Sequence, residues 1–552
     1  MRLEKKGMLL LAITIGVYLL GFEVNIMNVD AAQYAAMSRE MLRSGSYLEL
    51  FSRGRDYLDK PPLLFWLTSQ SIRLFGVTNF AYKFPSFLFA CLALWSTYRF
   101  SLLYYSRRRS LLAALVLGTT QALFLITNDV RTDTMLMGLV IFSIWQLADW
   151  LQTRRTRSFI LAFAGAGFAM LAKGPIALVV PVLAFGSHLL LRRNYKDLFR
   201  WQYLIGMLIV ALILAPFLYG LYRQFDLHPE KVMYGRTGTS GIGFYLWTQS
   251  FGRVTGQSTW NNGAGFLFQF QNLLWGFLPW TLFFIFSIGA SLAEVFRSRF
   301  RISEQREWIS KGGFLLTYLA VSRSHYQLPH YIYVVLPLAA IMTSEWVDRL
   351  LFEGEFPDLR RALHPLHVLI FSLLWLAAFV LAFYVFPSSP WYAKGLLVAG
   401  AGLYVLALFR PKRFGLPSTF SISLVTILGI NAFLSTGFYP GLLKYEAGSQ
   451  LGHYIAAHNP AGRPLYAFAL RHPYVLDYYS GQTARDATSG TQFRSGDWIY
   501  APSAEKDSIM QHLPCRIEAR SPDYPVQFLS LKFLNPSTRS SVVDSVYALQ
   551  VR

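Results

Sequence analysis

A few charged and aromatic residues stand where long apolar runs break, and their types suit proton transfer and phosphate binding. Asp30 directly follows the first run, in Asn28-Val29-Asp30-Ala31-Ala32-Gln33. A carboxylate at such a place has two uses. As an N-cap it accepts from the free N–H groups of a helix, and Gln33 stands where a capping box puts its partner. As a catalyst it takes a proton from an acceptor hydroxyl, or orients it, during a displacement. The two uses are compatible. Farther on comes Tyr57-Leu58-Asp59-Lys60-Pro61-Pro62. Here Asp59 suits a helix cap and the prolines an early helical position. Lys60 either snorkels toward headgroups or binds a phosphate oxygen.

Three further breaks carry charge. Arg131-Thr132-Asp133 reads as an ion pair at an interface, worth little to stability, or as part of a cavity lining. Lys173-Gly174-Pro175 reads as a turn with a snorkelling lysine, or as a cation facing the interior of a helix bundle. In Arg323-Ser324-His325-Tyr326-Gln327-Leu328-Pro329-His330-Tyr331 the two histidines are five apart. They do not share a helical face as an i,i+4 pair does, so zinc is a poor fit. His330 and Tyr331 suit donation to a phosphate. No P-loop, dinucleotide fingerprint or Gly-x-Ser-x-Gly elbow occurs, so nucleotide chemistry has no support.

The elements that must hold these residues are set by composition. Of 552 residues 54% are hydrophobic and only 15% charged, with a mean hydropathy of +0.35. A soluble domain has roughly 25% charged residues. Runs of about 18 apolar residues or more can cross a hydrocarbon core. Spans are expected near 7–24, 82–105, 110–127, 134–151, 158–172, 175–191, 203–223, 266–290, 312–323, 329–347, 364–386, 393–409 and 418–440, about thirteen in all. The Lys5-Lys6 end precedes a first helix read as retained, not as a cleaved signal. The net charge of +21 lies mostly in short Arg/Lys clusters between runs, such as Arg107-Arg108-Arg109. That is the pattern of cytoplasmic loops, with some capacity for anionic lipid headgroups, and it argues against nucleic acid as the partner. Two cysteines, Cys91 and Cys515, lie in dissimilar settings and supply no disulfide framework.

Threading the chain from a cytoplasmic N-terminus places the basic loops at 106–109, 152–157, 192–200, 297–311, 348–361 and 410–413 inside. It places 25–81, 128–133, 173–174, 224–265, 324–328, 387–392 and 441–552 outside. The alternation closes only if the apolar stretch 61–76 does not cross. With Ala31–Leu42, which has amphipathic spacing, it forms a pair of interfacial helices. Every candidate residue then falls at the outer face. The expected architecture is an all-α polytopic bundle over 1–442, including interfacial helices at 31–76, with a small α/β domain over 443–552 on the outer side. It contains no internal repeat.

In this order the motifs resemble the lipid-linked glycosyltransferases of the GT-C fold, most of all the bacterial branch with aminoarabinose (lipid A) transferases and protein mannosyltransferase-like enzymes. The resemblance rests on Asp30, Tyr57-x-Asp59-Lys60-Pro61-Pro62, Arg131-x-Asp133, Lys173-Gly174-Pro175 and Leu328-Pro329-His330-Tyr331. It implies a polyprenyl-phosphate-sugar donor, a glycolipid, glycan or protein acceptor, inversion at the sugar carbon, and a site on the outer side of a bacterial inner membrane. By that analogy Asp30 is the catalytic carboxylate. Lys60, Tyr57, His330 and Tyr331 lie near the carrier phosphate, and Asp59, Arg131, Asp133 and Lys173 line the cavity. Two departures stand out. Ala31 follows Asp30 where many relatives have a second acid, which weakens the case for a divalent metal there and leaves metal use open. Gln327 replaces a common lysine, shifting phosphate neutralisation toward Arg323, His325 or His330. The rival reading is a lipid or small-solute transporter. It predicts paired halves with matching broken helices, which the sequence lacks.

Overall fold

In hydrocarbon a backbone N–H or C=O has no partner except the chain itself, so apolar runs fold as helices. The structure, a computed structural model, describes residues 2–552 apart from 257–259, 304–305, 469–471 and 489. Six described helices are long and apolar enough to cross a bilayer: Glu4–Glu23, Thr132–Thr153, Tyr195–Asp226, Pro357–Val385, Trp391–Phe409 and Ser418–Tyr445. A seventh span arises if Arg107–Gly118 and Gln121–Asn128, bent by 52°, count as one. The chain is a mostly helical integral membrane protein. Other expected spans are shorter or interrupted. The run at 266–290 divides into helices Phe268–Gly276 and Thr281–Arg297. That at 329–347 begins as a 3₁₀ segment, Pro329–Val335, before helix Leu336–Val347.

The bundle is tightest where helix Thr132–Thr153 packs on Thr156–Lys173 and on Asn79–Ser101. Gly138 permits this approach. A Cβ there would lie 2.4 Å from the Phe89 carbonyl oxygen, and small residues are what let membrane helices come so close. The stretch 61–76 holds helix Leu63–Phe75, whose 13 residues extend about 20 Å, short of a core about 30 Å thick. This helix packs on helix Asp30–Ser44, and between them a two-residue hairpin pairs Phe51 with Asp56 and Ser52 with Arg55.

After Ala447 the chain forms a five-stranded sheet in the order Arg485–Asp486, Leu465–Ala467, Trp498–Pro502, Asp544–Val551 and Cys515–Asp523. The first three strands are parallel and the last two join antiparallel. Helix Ala447–His458 covers one face through Leu451 and Ile455. Helix Tyr474–Ser480 docks on helix Asp30–Ser44 and its neighbours. Tyr479 donates to Asn79 (2.6 Å), the Tyr474 hydroxyl accepts from Gln33 (3.2 Å), and Asp477 lies 3.2 Å from the Arg53 guanidinium. Cys91 and Cys515 are both free thiols.

Candidate active site

Asp30 opens helix Asp30–Ser44, yet it does not cap it. The capping position is Val29, which makes no side-chain cap bond, and the Gln33 amide turns to Tyr474 instead. The expected capping box is therefore absent, and the Asp30 carboxylate pairs with the Arg131 guanidinium. A negative group in a first helical turn is still favoured by the helix dipole. Arg131 is held from its other side by Asp129, whose carboxylate accepts from Nε (2.9 Å) and Nη2 (2.8 Å). The planar guanidinium thus acts as a fixed strut between two carboxylates. Asp129 was missed in the sequence, although its place two residues before Arg131 was visible.

Arg131 and Asp133 do not pair with each other. Asp133 is 2% exposed in the first turn of helix Thr132–Thr153, and it accepts from Lys173 at the end of helix Thr156–Lys173. The helix can stop there because Gly174 takes φ +89, a conformation that costs a residue with a Cβ. The His330 ring lies 3.8 Å from the same carboxylate, and the Lys173 ammonium sits 4.1 Å from the centre of the Tyr331 ring. This cation–π contact stabilises the ammonium without neutralising it.

Lys60 contacts Asp59 at 2.5 Å, and Asp59 also accepts from Gln249 at 3.2 Å. Asp59 caps nothing, since helix Leu63–Phe75 begins after Pro62. Gln249 thus gives the Asp59 carboxylate a second donor beside Lys60. Tyr57 is buried, and its hydroxyl has no hydrogen-bond partner among the described residues. Burial first, and then the nearby Asp59 and other acidic neighbours including Asp30, hold its pKa well above the ordinary value. It is a neutral donor with no acceptor, and such a buried group costs about 1–3 kcal/mol until something accepts from it.

These groups meet at one end of the bundle. Lys60, Lys173, Tyr331, Gln249 and Ser324 supply the polar side of a cleft whose other side is apolar, with Leu136, Ile176, Val179 and Val321. Gln327, at the departure noted in the sequence, is fully buried and donates to the Ser322 and Ser324 carbonyls at 3.1 and 3.0 Å. It shapes the loop. Arg323 and His325 are exposed. Gln249 and Ser250 come from the long segment between helices Gln202–Leu221 and Phe268–Gly276, and no motif marked them. Among the described residues no three His, Cys, Asp or Glu side chains stand close enough to hold a metal.

Residues 59–219 match the family model described as dolichyl-phosphate-mannose-protein mannosyltransferase. The undecaprenyl phosphate-alpha-4-amino-4-deoxy-L-arabinose arabinosyl transferase of Edwardsiella ictaluri is 27% identical over 334 residues, 59% of this chain and 56% of that one. The transferase of the same description from Aeromonas salmonicida is 27% identical over 339 residues, 59% and 57% of the two chains. This chain thus spans about half the length of the curated relatives it matches. Among solved structures, ArnT from Cupriavidus metallidurans bound to undecaprenyl phosphate superposes with a TM-score of 0.75 at 17% identity, covering 98% of this chain and 97% of that one. Its apo form gives 0.74 at 16% identity, with the same coverage.

Proposed function

We propose that this chain, which shares the fold of that aminoarabinose transferase and bears out the likeness to GT-C lipid-linked glycosyltransferases, transfers a sugar from a polyprenyl-phosphate donor to an acceptor. The observation that carries the reading is the cleft. Two ammonium groups, an unpartnered tyrosine hydroxyl nearby and an apolar wall lie at the same end of the bundle as a carboxylate fixed by Arg131. A prenyl chain suits the apolar side, and a phosphate suits Lys60, Lys173 and Tyr57.

In the reaction an acceptor hydroxyl attacks the anomeric carbon from the face opposite the phosphate, and the configuration inverts. The bond from that carbon to the phosphate oxygen breaks, with its electron pair passing to the phosphate. The hydroxyl proton goes to Asp30. Lys60 leaves Asp59 for the departing phosphate, while Tyr57 donates to it, so positive charge and a fixed dipole stand where negative charge develops. Lys173 assists from across the cleft, and His330 and Tyr331 border it. Arg131 keeps the Asp30 carboxylate aimed while Asp129 steadies Arg131.

The wider reading follows from the same parts. The shorter helices complete a bundle of about thirteen spans, residues 443–552 form a separate outer domain, and the site faces the periplasm from the inner membrane. The acceptor is a lipid A-type glycolipid, or another envelope glycan or protein. The decisive measurement is mass spectrometry of envelope lipids and glycans from cells with the wild-type chain, with Asp30→Asn, and without either. A sugar adduct is expected only with wild type. An adduct at wild-type level from correctly inserted Asp30→Asn would remove the catalytic assignment.

A further inference from the structure

At the end of the bundle opposite Asp30, several helix ends converge: those of Arg107–Gly118, Thr281–Arg297, Ile309–Ser322, Leu336–Val347 and Pro357–Val380. The 3₁₀ segment and helix over 329–347 connect the two ends, and at about 2.0 and 1.5 Å per residue they extend roughly 30 Å. The converging ends enclose a cavity of about 1340 Å³, larger than the roughly 300–1,000 Å³ of ordinary small-molecule pockets.

Its walls are of two kinds. Along helix Thr281–Arg297 the lining is apolar: Leu282, Ile285, Phe286 and Gly289, facing Trp346 and Phe356. Ile285 and Phe286 remain 40% and 37% exposed. A Cβ at Gly289 would meet nothing within 4 Å. The inner end is ionic. Glu294 accepts from Lys311 (2.6 Å) and Arg306 (2.8 Å). Glu345 accepts from Arg109 (2.9 Å), with Lys311 at 3.7 Å and Arg349 at 3.9 Å. Arg349 also meets Glu355 at 2.7 Å, and Glu307 accepts from Tyr105 and Ser310. Among the described residues five cations thus stand against four carboxylates once Glu355, the partner of Arg349, is included. The surplus has an address: the Arg297 guanidinium, at the end of the apolar wall, has no ion pair or hydrogen bond among the described residues.

We propose that this cavity is a lipid site, holding one anionic phospholipid of the leaflet opposite the active site. Its acyl chains lie along Leu282, Ile285 and Gly289, and its phosphodiester meets Arg297 and Arg306. The charge of one phosphodiester matches the surplus, and an apolar wall that long has no use for a soluble anion. A zwitterionic lipid brings an ammonium group that Arg297 and Arg306 would repel. Basic groups near the cytoplasmic surface attract anionic lipid, and Arg297 and Arg306 both line this cavity.

The test is native mass spectrometry of the full chain released from nanodiscs of equal phosphatidylglycerol and phosphatidylethanolamine, with circular dichroism to verify folding. Wild type is expected to retain one phosphatidylglycerol per chain, at least tenfold above phosphatidylethanolamine. Arg297→Glu should lower that retention at least fivefold. Gly289→Trp should abolish it by filling the apolar wall from an open position. Equal retention of the two lipids, or wild-type retention by folded Arg297→Glu, overturns the proposal. So does retention unaffected by Gly289→Trp, or a polyprenyl phosphate as the species that variant displaces. None of these readouts depends on sugar transfer.

Discussion

The two ends of the bundle both gather charge, but they arrange it differently. At the Asp30 end, Lys60, Arg131 and Lys173 stand against Asp30, Asp59, Asp129 and Asp133, each cation with a short list of partners. Asp59 has Gln249 in reserve and Asp133 has His330 nearby. At the opposite end Glu345 alone gathers Arg109, Lys311 and Arg349, and Glu294 gathers Arg306 and Lys311. Pairs with a spare partner can open for a phosphate at little cost. A carboxylate shared by three cations ties helices together, and removing it leaves several charges uncompensated. The cavities differ as well: about 150 Å³ at the Asp30 end and about 1340 Å³ at the other.

The contrast breaks most visibly through Asp30→Asn. Loss of a positioned base is expected to cost about 10²–10⁴-fold in turnover, with the thermal midpoint little changed. A comparable loss of stability would instead make Asp30 a structural anchor. Glu345→Gln should behave inversely. We expect a loss of roughly 2 kcal/mol in stability, below the cost of breaking a fully buried pair because the site is partly exposed, and near-normal transfer by the folded fraction. Transfer lost in proportion to neither stability nor expression would erase the distinction between the ends. Lys60→Ala should reduce kcat/KM at limiting donor by about 10–100-fold, the worth of a charge-assisted bond of about 1.5–3 kcal/mol. Lys60→Arg should recover part of it, since charge is kept while geometry changes. Equal rates for Lys60→Ala and wild type would place the phosphate elsewhere.

The smallest expected effect concerns how the C-terminal sheet region seats on helix Asp30–Ser44 and the hairpin that follows it. Burial pushes the Asp477 carboxyl up to about 7, against the opposing pull of Arg53 and the Ala484 N–H. A carboxyl raised in the docked state favours docking at low pH, and that contribution is lost as pH rises through about 7. Glu446, pushed up to about 8 by burial despite the Asn28 N–H, acts in the same direction. Hydrogen exchange over 474–486 should therefore quicken from pH 6 to pH 8 beyond the intrinsic rate change. Asp477→Asn should flatten most of that rise, with Glu446 supplying the remainder. A variant with the wild-type slope would show that Asp477 does not govern the seating.

Much of this was legible in the residues. Composition and run length identify a membrane-embedded helical chain because the bilayer acts on each segment separately, through the cost of an unpaired backbone and of charge. The alternation of basic loops led to reading 61–76 as an interfacial helix, and the structure has there a helix of 13 residues, Leu63–Phe75. Asp30, Lys60, Asp133, Lys173 and Tyr331 were singled out because polar groups at the ends of apolar runs are rare enough to need a reason. The count of long spans was less legible, since hydropathy does not see the bend after Gly118 or the 3₁₀ start at Pro329.

What only the tertiary structure decided is who touches whom. Asp30 sits where a cap belongs, and the sequence had no means to say that Arg131, 101 residues away, takes the carboxylate instead. Neither could it seat Lys173 on Asp133, bring Gln249 to Asp59, or leave Arg297 without an ion pair among the described residues. Segment character follows from the solvent each residue meets locally. An ion pair depends on two helix ends arriving within about 4 Å of each other, and that is fixed by packing such as the contact of Gly138 with Phe89, which joins stretches of chain that no local pattern connects.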